Sequence, residues 1–455
     1  MQLADLKNKR IGILGFGIEG QAVANYLQAS GVAFEILDQN PELDLGTFKT
    51  APSYLGPDYL QHIQGFEVLF RSPGIRFFPE LVAARNKGCT VTSQIKFFFD
   101  NCPAKIIAVS GTKGKGTTCT LLYEMLKQAG MPVYLGGNVG TGVLDLLDQL
   151  QPTDWVILEL SSFQLQDLEK SPHIAVVLMV TSEHLDYHLS REEYVLAKTS
   201  LTRYQKSGDF AIINWDYEGS RHIGELGAAR KYYVHTLPEV PADFKDGIVA
   251  EQKSGKISFI SAGRASEFLN AGEVQLAGYH NIQNICAASL AAKIVGVDPE
   301  LIKKVAQEFP GYEHRLEYVC ERGGIKFYND SSGSTPESCI AAVRAFDAPE
   351  IAVIGGFDKE GDYPALAREL ARQENLKAAI LIGQIASKVE LSLRANNFRG
   401  KILTGAKDLT EVFGQIRGIA EKGDIVLLAP ATSSFDWFKN YRERGDLFKK
   451  LAREF

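Results

Sequence analysis

The stretch AVSGTKGKGTT, residues 108–118, decides the fold of the chain around it. An apolar run from Lys105 to Val109 predicts a buried strand, and a helical pattern extends from Thr120 to Gln128. A glycine-rich loop between such a strand and helix leaves backbone N–H groups at the helix N-terminus, where anions bind. The stretch therefore predicts a phosphate site, with a glycine-rich surface turn as the alternative.

The side chains of this loop suit a nucleoside triphosphate. Lys115 supplies a point charge for terminal phosphates, and Thr117 or Thr118 supplies a hydroxyl for Mg²⁺. The common P-loop pattern has glycine where Val109 stands and Ser or Thr where Gly116 stands, so a general pattern search would miss this loop. The predicted phosphate-binding residues are Gly111, Thr112, Lys113, Gly114, Lys115, Gly116, Thr117 and Thr118.

Length and composition bound the class of protein. The chain has 455 residues, which predicts two to four domains. A net charge of −6 argues against a dedicated nucleic-acid binder. The six cysteines are scattered without metal-site spacing, and the sequence shows neither an apolar signal core nor an apolar run long enough for a membrane span. We expect a cytoplasmic protein without nucleic-acid or membrane partners.

A second glycine motif stands near the N-terminus. Gly15, Gly17 and Gly20 follow a predicted strand, Ile11 to Leu14, and Asp38 ends the next strand. This spacing indicates a pyrophosphate above a helix N-terminus and a ribose near the carboxylate. NAD and a UDP-sugar satisfy it equally well, so a nicotinamide-dependent oxidoreductase remains an alternative.

Polar residues also follow strands of the central region. Glu159 ends a predicted strand near the phosphate loop, where it serves either as a Mg²⁺ ligand or as a helix N-cap. Residues 183–188 hold two histidines, His184 and His188, and two acids. Zinc is one reading of that cluster, but phosphate chemistry and the absence of a nearby cysteine favour Mg²⁺. Lys198 lies on a predicted helix among apolar residues, where a plain surface lysine is the alternative.

Further candidates lie towards the C-terminus. Asn281 and Asn284 are three residues apart on one helix face, where they cap and pack the helix or approach the nucleotide. Arg315 follows a predicted linker, 309–312, from which it can swing onto phosphate. Asp330 follows another predicted strand.

Several of these strings resemble the Mur ligase family. GTKGKGTT is similar to the family's ATP loop, GTNGK, with Lys113 in place of the usual Asn. The SPGI string at Ser72, the Y-x-x-A-K string ending at Lys198, and the G-G-F-D-K string ending at Lys359 also match. The closing segment, residues 429–445, is very like the family's S-P-A-x-A-S-x-D-x-F-x-N-[FY]-x-x-R-G. The main departure is Ser332, where the D-glutamate-adding members have lysine.

The resemblance implies roles for these residues. It assigns catalysis to Lys115, Glu159, His184 and Lys198, and two Mg²⁺ ions to Thr117, Glu159, His184 and Lys198, with Lys198 carrying a carbamate. It adds Asn281, Asn284, Arg315 and Asp330 to the ATP site. It implies a UDP-sugar site at Gly15, Phe16, Gly17, Asp38, Ser72, Pro73, Gly74, Asn138 and His184, and an amino-acid site at Ser334, Lys359, Ser434, Phe435 and Tyr441.

The fold and reaction expected from the resemblance are those of a three-domain α/β ligase. We expect a Rossmann-like UDP-sugar domain at 1–100, a P-loop ATPase domain with a mostly parallel sheet at 101–309, and a Rossmann-like amino-acid-binding domain at 310–455. ATP would activate the carboxylate of UDP-N-acetylmuramoyl-L-alanine for attack by D-glutamate, on a monomer, in peptidoglycan precursor synthesis. Domain closure is implied, because the groups come from separate domains and water would hydrolyse an acyl phosphate.

Four alternatives remain open from the sequence. Within the class, the chain adds another amino acid or is a folate polyglutamate ligase, although the residues ahead of Lys105 weigh against a folate enzyme. Outside the class, it is the oxidoreductase named above or a non-catalytic nucleotide-binding regulator.

Overall fold

Strands of three to seven residues form three β-sheets within the residues that the structure describes. This structure is a computed structural model, and it describes residues 1–138, 140–181, 190–240, 244–276, 278–359 and 361–455. The chain divides into two compact units. The first unit holds residues 1–269 and 283–303, and the second holds residues 270–282 and 304–455.

The first sheet is parallel and has the strand order β3-β2-β1-β4-β5. Strands β1 and β4 are buried along their whole length, as expected for a sheet with helices on both faces. The elements of this part are β1 (Ile11–Leu14), α1 (Ile18–Ala29), β2 (Glu35–Asp38), β3 (Ser53–Leu55), β4 (Val68–Arg71), α2 (Pro79–Asn86), β5 (Thr90–Thr92) and α3 (Gln94–Asn101).

The central sheet has the order β14-β13-β12-β11-β10-β9-β6-β8-β7. Its strands from β7 to β12 pair in parallel, and β13 joins β12 antiparallel. Its first elements are β6 (Lys105–Ser110), α4 (Lys115–Gln128), β7 (Val133–Gly137), α5 (Val143–Leu146), β8 (Trp155–Glu159), α6 (Ser162–Leu165), β9 (Ile174–Val177), α7 (Arg191–Ala197) and α8 (Ser200–Arg203). They are followed by β10 (Phe210–Asn214), α9 (Glu218–Gly224), β11 (Arg230–His235), β12 (Gly247–Ala250), β13 (Lys256–Ser261), β14 (Arg264–Asn270), α10 (Tyr279–Val295) and α11 (Pro299–Glu308).

The third sheet has the order β15-β16-β20-β17-β18-β19, and all its pairs are parallel except β15 with β16. Its elements are β15 (Glu317–Arg322), β16 (Ile325–Asn329), α12 (Pro336–Val343), β17 (Glu350–Gly355), α13 (Tyr363–Leu370), β18 (Leu376–Ile382), α14 (Ala386–Ala395), β19 (Lys401–Leu403), α15 (Leu409–Arg417), β20 (Ile425–Leu428) and α16 (Tyr441–Arg453).

Burial follows the two faces of each sheet. In β17, Ala352 and Ile354 belong to one apolar core, while Ile351 and Val353 belong to another on the opposite face. A continuous core in the first unit runs from residue 6 to residue 223 and so includes both of its sheets. No helix among the described residues is long and apolar enough to cross a membrane.

The predicted three-domain α/β fold with mostly parallel sheets is confirmed. Its boundaries at residues 100 and 309 stay predictions. One helix start differs from that expected: α4 begins at Lys115 rather than Thr120. The first turn of α4 is polar, so the apolar period gives no signal there.

Candidate nucleotide and substrate site

The loop after β6 has the backbone of an anion site. Gly114 has φ +88°, and its loop leads directly into α4 at Lys115. A Cβ at Gly114 would lie 2.1 Å from Oδ1 of Asn284, so glycine is needed for both conformation and space. Thr112 fixes the loop, since its N–H donates to Met179 O over 2.6 Å and its hydroxyl lies 3.1 Å from the Tyr194 hydroxyl.

The lysine of the loop folds back over it. Lys115 Nζ donates to the carbonyl oxygens of Gly111 and Thr112 over 3.0 and 3.1 Å. This places a positive charge at the N-terminus of α4, beside the helix's first N–H groups. Lys113 is exposed, whereas Gly116 and Thr117 lie in the first turn of α4 and Thr117 is buried. The predicted loop residues are therefore together at one end of a helix.

Oxygen donors suitable for Mg²⁺ stand next to this loop. Glu159 ends β8, which pairs with β6 through Glu159 and Val109, and its side chain is buried. The hydroxyl of Thr118 is buried and has no hydrogen-bond partner among the described residues. A carboxylate and threonine hydroxyls are hard ligands, so these residues fit Mg²⁺. His184 and His188 lie outside the described residues.

Lys198 is a buried amine beside the same loop. It is 1% exposed and caps the C-terminus of α7, just beyond the helix on which it was expected. Its Nζ donates to Ser110 Oγ over 3.2 Å and to Gly111 O over 3.3 Å, and it lies 4.7 Å from the centre of the Tyr194 ring. The alternative of a plain surface lysine is therefore wrong.

The glycine motif and the nucleotide loop open into one cavity of about 650 Å³. Lys115 and Asn138 line it from the central part of the first unit. From the N-terminal part, the predicted residues that line it are Gly15, Gly17, Asp38, Ser72, Pro73 and Gly74. A Cβ at Gly20 would lie 2.2 Å from Gly15 O, so the third glycine permits the close packing of helix on loop.

Phe16 and Asp38 of the predicted UDP-sugar site also have structural contacts. The Phe16 ring is 1% exposed and packs edge-on against Phe48 at 5.6 Å, so its side chain belongs to the core. Asp38 accepts hydrogen bonds from the N–H groups of Phe16, at 2.7 Å, and Asn40, at 2.9 Å. Asp38 thus shapes the glycine loop as well as lining the cavity.

The sequence analysis did not predict six residues that line this cavity: Ile18, Glu19, Gln39, Ile75, Ser161 and Phe163. Ser161 and Phe163 directly follow the strand that ends at Glu159, so the argument that selected Glu159 applies to them too. Glu19 lies inside the glycine motif, but the motif was interpreted from the spacing of its glycines alone.

In the second unit, Asp330 and Arg315 are neighbours. Asp330 Oδ1 accepts from the N–H of Leu316 over 3.0 Å. Burial raises the pKa of Asp330 to about 7, and the charge of Arg315 opposes that shift. Asn281 is buried next to His280.

The predicted amino-acid residues follow three adjacent strands. Ser334 lies beyond the end of β16, Lys359 beyond β17, and Ser434 beyond β20, and these strands are neighbours in the order β16-β20-β17. Ser434 Oγ is buried and has no hydrogen-bond partner among the described residues, while Phe435 is 63% exposed. Tyr441 begins α16, and its carbonyl accepts from the Ser331 hydroxyl over 2.7 Å.

Comparison with known proteins gives consistent matches along the chain. The family model described as Mur ligase middle domain matches residues 109–292, and the one described as Mur ligase, glutamate ligase domain matches residues 314–432. A protein of Acetivibrio thermocellus named UDP-N-acetylmuramoylalanine–D-glutamate ligase is 40% identical over 98% of this chain and 97% of its own length. A protein of the same name from Ruminiclostridium cellulolyticum is 37% identical over the same shares.

A solved structure shows the same fold at low identity. The MurF ligase of Thermotoga maritima, solved in complex with ADP, is 18% identical and matches 98% of this chain and 96% of that chain with a TM-score of 0.55. The chain belongs to the Mur ligase family, in the branch whose members are named UDP-N-acetylmuramoylalanine–D-glutamate ligases.

Proposed function

We propose that the protein is an ATP-dependent ligase that joins D-glutamate to UDP-N-acetylmuramoyl-L-alanine in peptidoglycan precursor synthesis. The observation that carries the proposal is the shared cavity, in which Lys115 and Asn138 of the central part lie with Gly15 and Ser72 of the glycine-motif side. A carboxylate held on that side reaches a terminal phosphate held on the other. The names of the relatives support the choice of substrates.

The reaction is a two-step substitution. The carboxylate of the alanyl group attacks the γ-phosphorus of ATP, and ADP leaves, so a poor electrophile becomes an acyl phosphate. The neutral amine of D-glutamate then attacks the acyl carbon, inorganic phosphate leaves, and the amine loses a proton. Lys115 at the helix N-terminus holds the phosphate charge as it develops.

The metal ligands belong to this proposal. Thr117, Glu159, His184 and a carbamate on Lys198 would hold two Mg²⁺ ions, which when bound neutralise charge on the phosphates. A carbamate forms from CO₂ and a neutral amine, and burial favours the neutral form of a lysine. Lys198→Ala with full activity in CO₂-depleted buffer would contradict the carbamate.

The remaining assignments follow the domain order. Residues 1–100 would bind the UDP-sugar, 101–309 ATP, and 310–455 D-glutamate, with Asn281, Asn284, Arg315 and Asp330 serving the nucleotide. Ser334, Lys359, Ser434, Phe435 and Tyr441 would hold the amino acid. We place the reaction in the cytoplasm, on a monomer.

The test is phosphate release from ATP with UDP-N-acetylmuramoyl-L-alanine and one amino acid at a time. D-glutamate is compared with L-glutamate, D-aspartate, lysine and diaminopimelate, and Lys115→Met is the inactive control. Release that depends on D-glutamate alone is expected, with Ser332 in place of the family's lysine. Release with another amino acid would change the specificity, and no release with any would overturn the proposal.

A further inference from the structure

A buried ion pair joins β4 of the first sheet to the segment that follows α6. Arg71 ends β4 and is 1% exposed, and its Nη2 lies 3.1 Å from Oδ2 of Asp167. Asp167 follows α6, in the segment that leads away from Glu159. Because both side chains are largely withdrawn from water, removal of either charge leaves the other poorly compensated.

Arg71 also determines the shape of the Ser72 loop. Its Nη1 donates to Ile75 O over 2.5 Å, Pro73 O over 3.2 Å and Ser72 O over 3.4 Å. Its guanidinium lies 4.5 Å from the centre of the Phe77 ring. Three carbonyls of one cavity-lining loop therefore converge on a single nitrogen, whose position depends on the partner carboxylate.

A second contact runs parallel to the ion pair. Glu19, in the glycine motif, accepts at Oε1 from Gln164 Nε2 over 2.7 Å. Gln164 Oε1 in turn accepts from the N–H of Ser161 over 2.9 Å, in the capping box of α6. Ser161 lines the cavity two residues after Glu159. The charges of Arg71 and Asp167 act on Glu19 in opposite directions, and burial raises its pKa.

We propose that Arg71 and Asp167 are positioning residues that couple occupancy of the UDP-sugar side to occupancy of the nucleotide side. A ligand that fixes the Ser72 loop also fixes Arg71. Through its ion pair, Arg71 then fixes Asp167 and the segment that follows Glu159. The second ligand then meets an ordered site, and the effect is reciprocal. The inference rests on the proposed function, because that function supplies the two ligands.

The test measures binding of UDP-N-acetylmuramoyl-L-alanine by calorimetry, with and without a non-hydrolysable ATP analogue and Mg²⁺. In the wild type we expect the analogue to tighten binding about fivefold or more, in the range of typical coupling between sites. In Asp167→Asn we expect this coupling factor, the ratio of affinities with and without the analogue, to fall close to one. Asp167→Glu, which keeps the charge, should retain most of it.

The matched control is Glu169→Gln. Glu169 Oε2 lies 2.6 Å from Lys96 Nζ, so it bridges the same two parts of the unit, but its side chain is 55% exposed and touches no cavity loop through that contact. Its coupling factor should equal that of the wild type. If the coupling factor falls equally in Asp167→Asn and Glu169→Gln, Asp167 is only a general interface contact and the proposal is overturned.

Two further outcomes are separated by design. If Asp167→Asn folds poorly, Arg71→Met/Asp167→Leu removes both charges and should fold better, yet still show a factor close to one. If the wild type binds both ligands but shows a coupling factor of one, the proposed coupling is overturned and the proposed function is not. Wild-type binding of neither ligand overturns the proposed function itself.

Discussion

Each unit has a buried arginine that donates hydrogen bonds to loop carbonyls, but only one of the two arginines is paired with a carboxylate. Arg71 and Arg444 are both almost fully buried, and each donates to backbone carbonyls of loops at the ends of parallel strands. Arg71 has Asp167 at 3.1 Å. Arg444 forms no ion pair with any carboxylate in the described part of the chain, and Asp330 and Asp436 act on it only by longer-range charge.

The difference teaches where an unpaired charge is tolerated. Arg444 donates to Ser331 Oγ and O over 3.0 and 2.8 Å and to Thr432 O over 3.2 Å, so its hydrogen bonds are made although its charge is not neutralised. Burial lowers its pKa to about 10, which leaves it protonated at neutral pH. The strand ends around it carry the proposed amino-acid site, and a dicarboxylate ligand suits a buried positive charge.

The largest expected effect comes from breaking the compensated pair. Asp167→Leu should lower the free energy of unfolding by about 3–5 kcal/mol, because it leaves the Arg71 charge buried without its partner. Adding Arg71→Met should restore much of the loss. Urea unfolding of the two variants measures this, and a double variant no more stable than the single one would contradict it.

Asp330 gives a pH-dependent effect in the second unit. Its pKa is about 7 in the folded protein, against about 3.9 for an unperturbed aspartate. The unfolded chain therefore loses this proton first, so stability is fully present below pH 4 and falls as the pH rises towards 7. A three-unit shift corresponds to at most about 4 kcal/mol.

Asp330→Asn removes this titration. Urea unfolding at intervals from pH 4 to 8 should show the wild type losing stability relative to the variant across that window. Parallel curves for the two proteins would exclude the raised pKa.

Arg444→Met should cost about 1–3 kcal/mol, because buried carbonyls lose their donor while no partner charge is left behind. Its matched control is Arg442→Met on the same helix, whose side chain is exposed and should leave the unfolding midpoint unchanged. In steady-state kinetics, Arg444→Met should raise KM for D-glutamate more than KM for ATP. An equal rise in both would indicate a general loss of structure.

The sequence predicted the two glycine loops but not the contacts of the two buried arginines. A strand followed by spaced glycines predicted the Lys115 loop and the Gly15 motif, because the backbone conformation of such a loop depends on glycines that are close together in sequence. Arg71 directly precedes the SPGI string and Arg444 lies inside the closing segment 429–445, yet nothing local in the sequence distinguishes a buried arginine from an exposed one. Their partners are 96 and 113 residues away in sequence, and only the folded sheets bring them together. The contact of the Phe16 ring with Phe48 was not predicted for the same reason, since the two residues are far apart in sequence.

The smallest effect separates the two arginine sites through matched serines. Ser72 Oγ donates to Gly15 O over 2.6 Å next to Arg71, and Ser331 Oγ donates to Tyr441 O over 2.7 Å next to Arg444. Ser72→Ala should cost about 1 kcal/mol, the usual net value of one hydrogen bond, and Ser331→Ala about twice that, because Ser331 Oγ also accepts from Arg444 Nε over 3.0 Å. Because the serines anchor different loops, Ser72→Ala should raise KM for the UDP-sugar and Ser331→Ala should raise KM for D-glutamate. The same substrate affected by both would mean that the loops do not act separately, and the contrast between the two arginines would then concern stability alone.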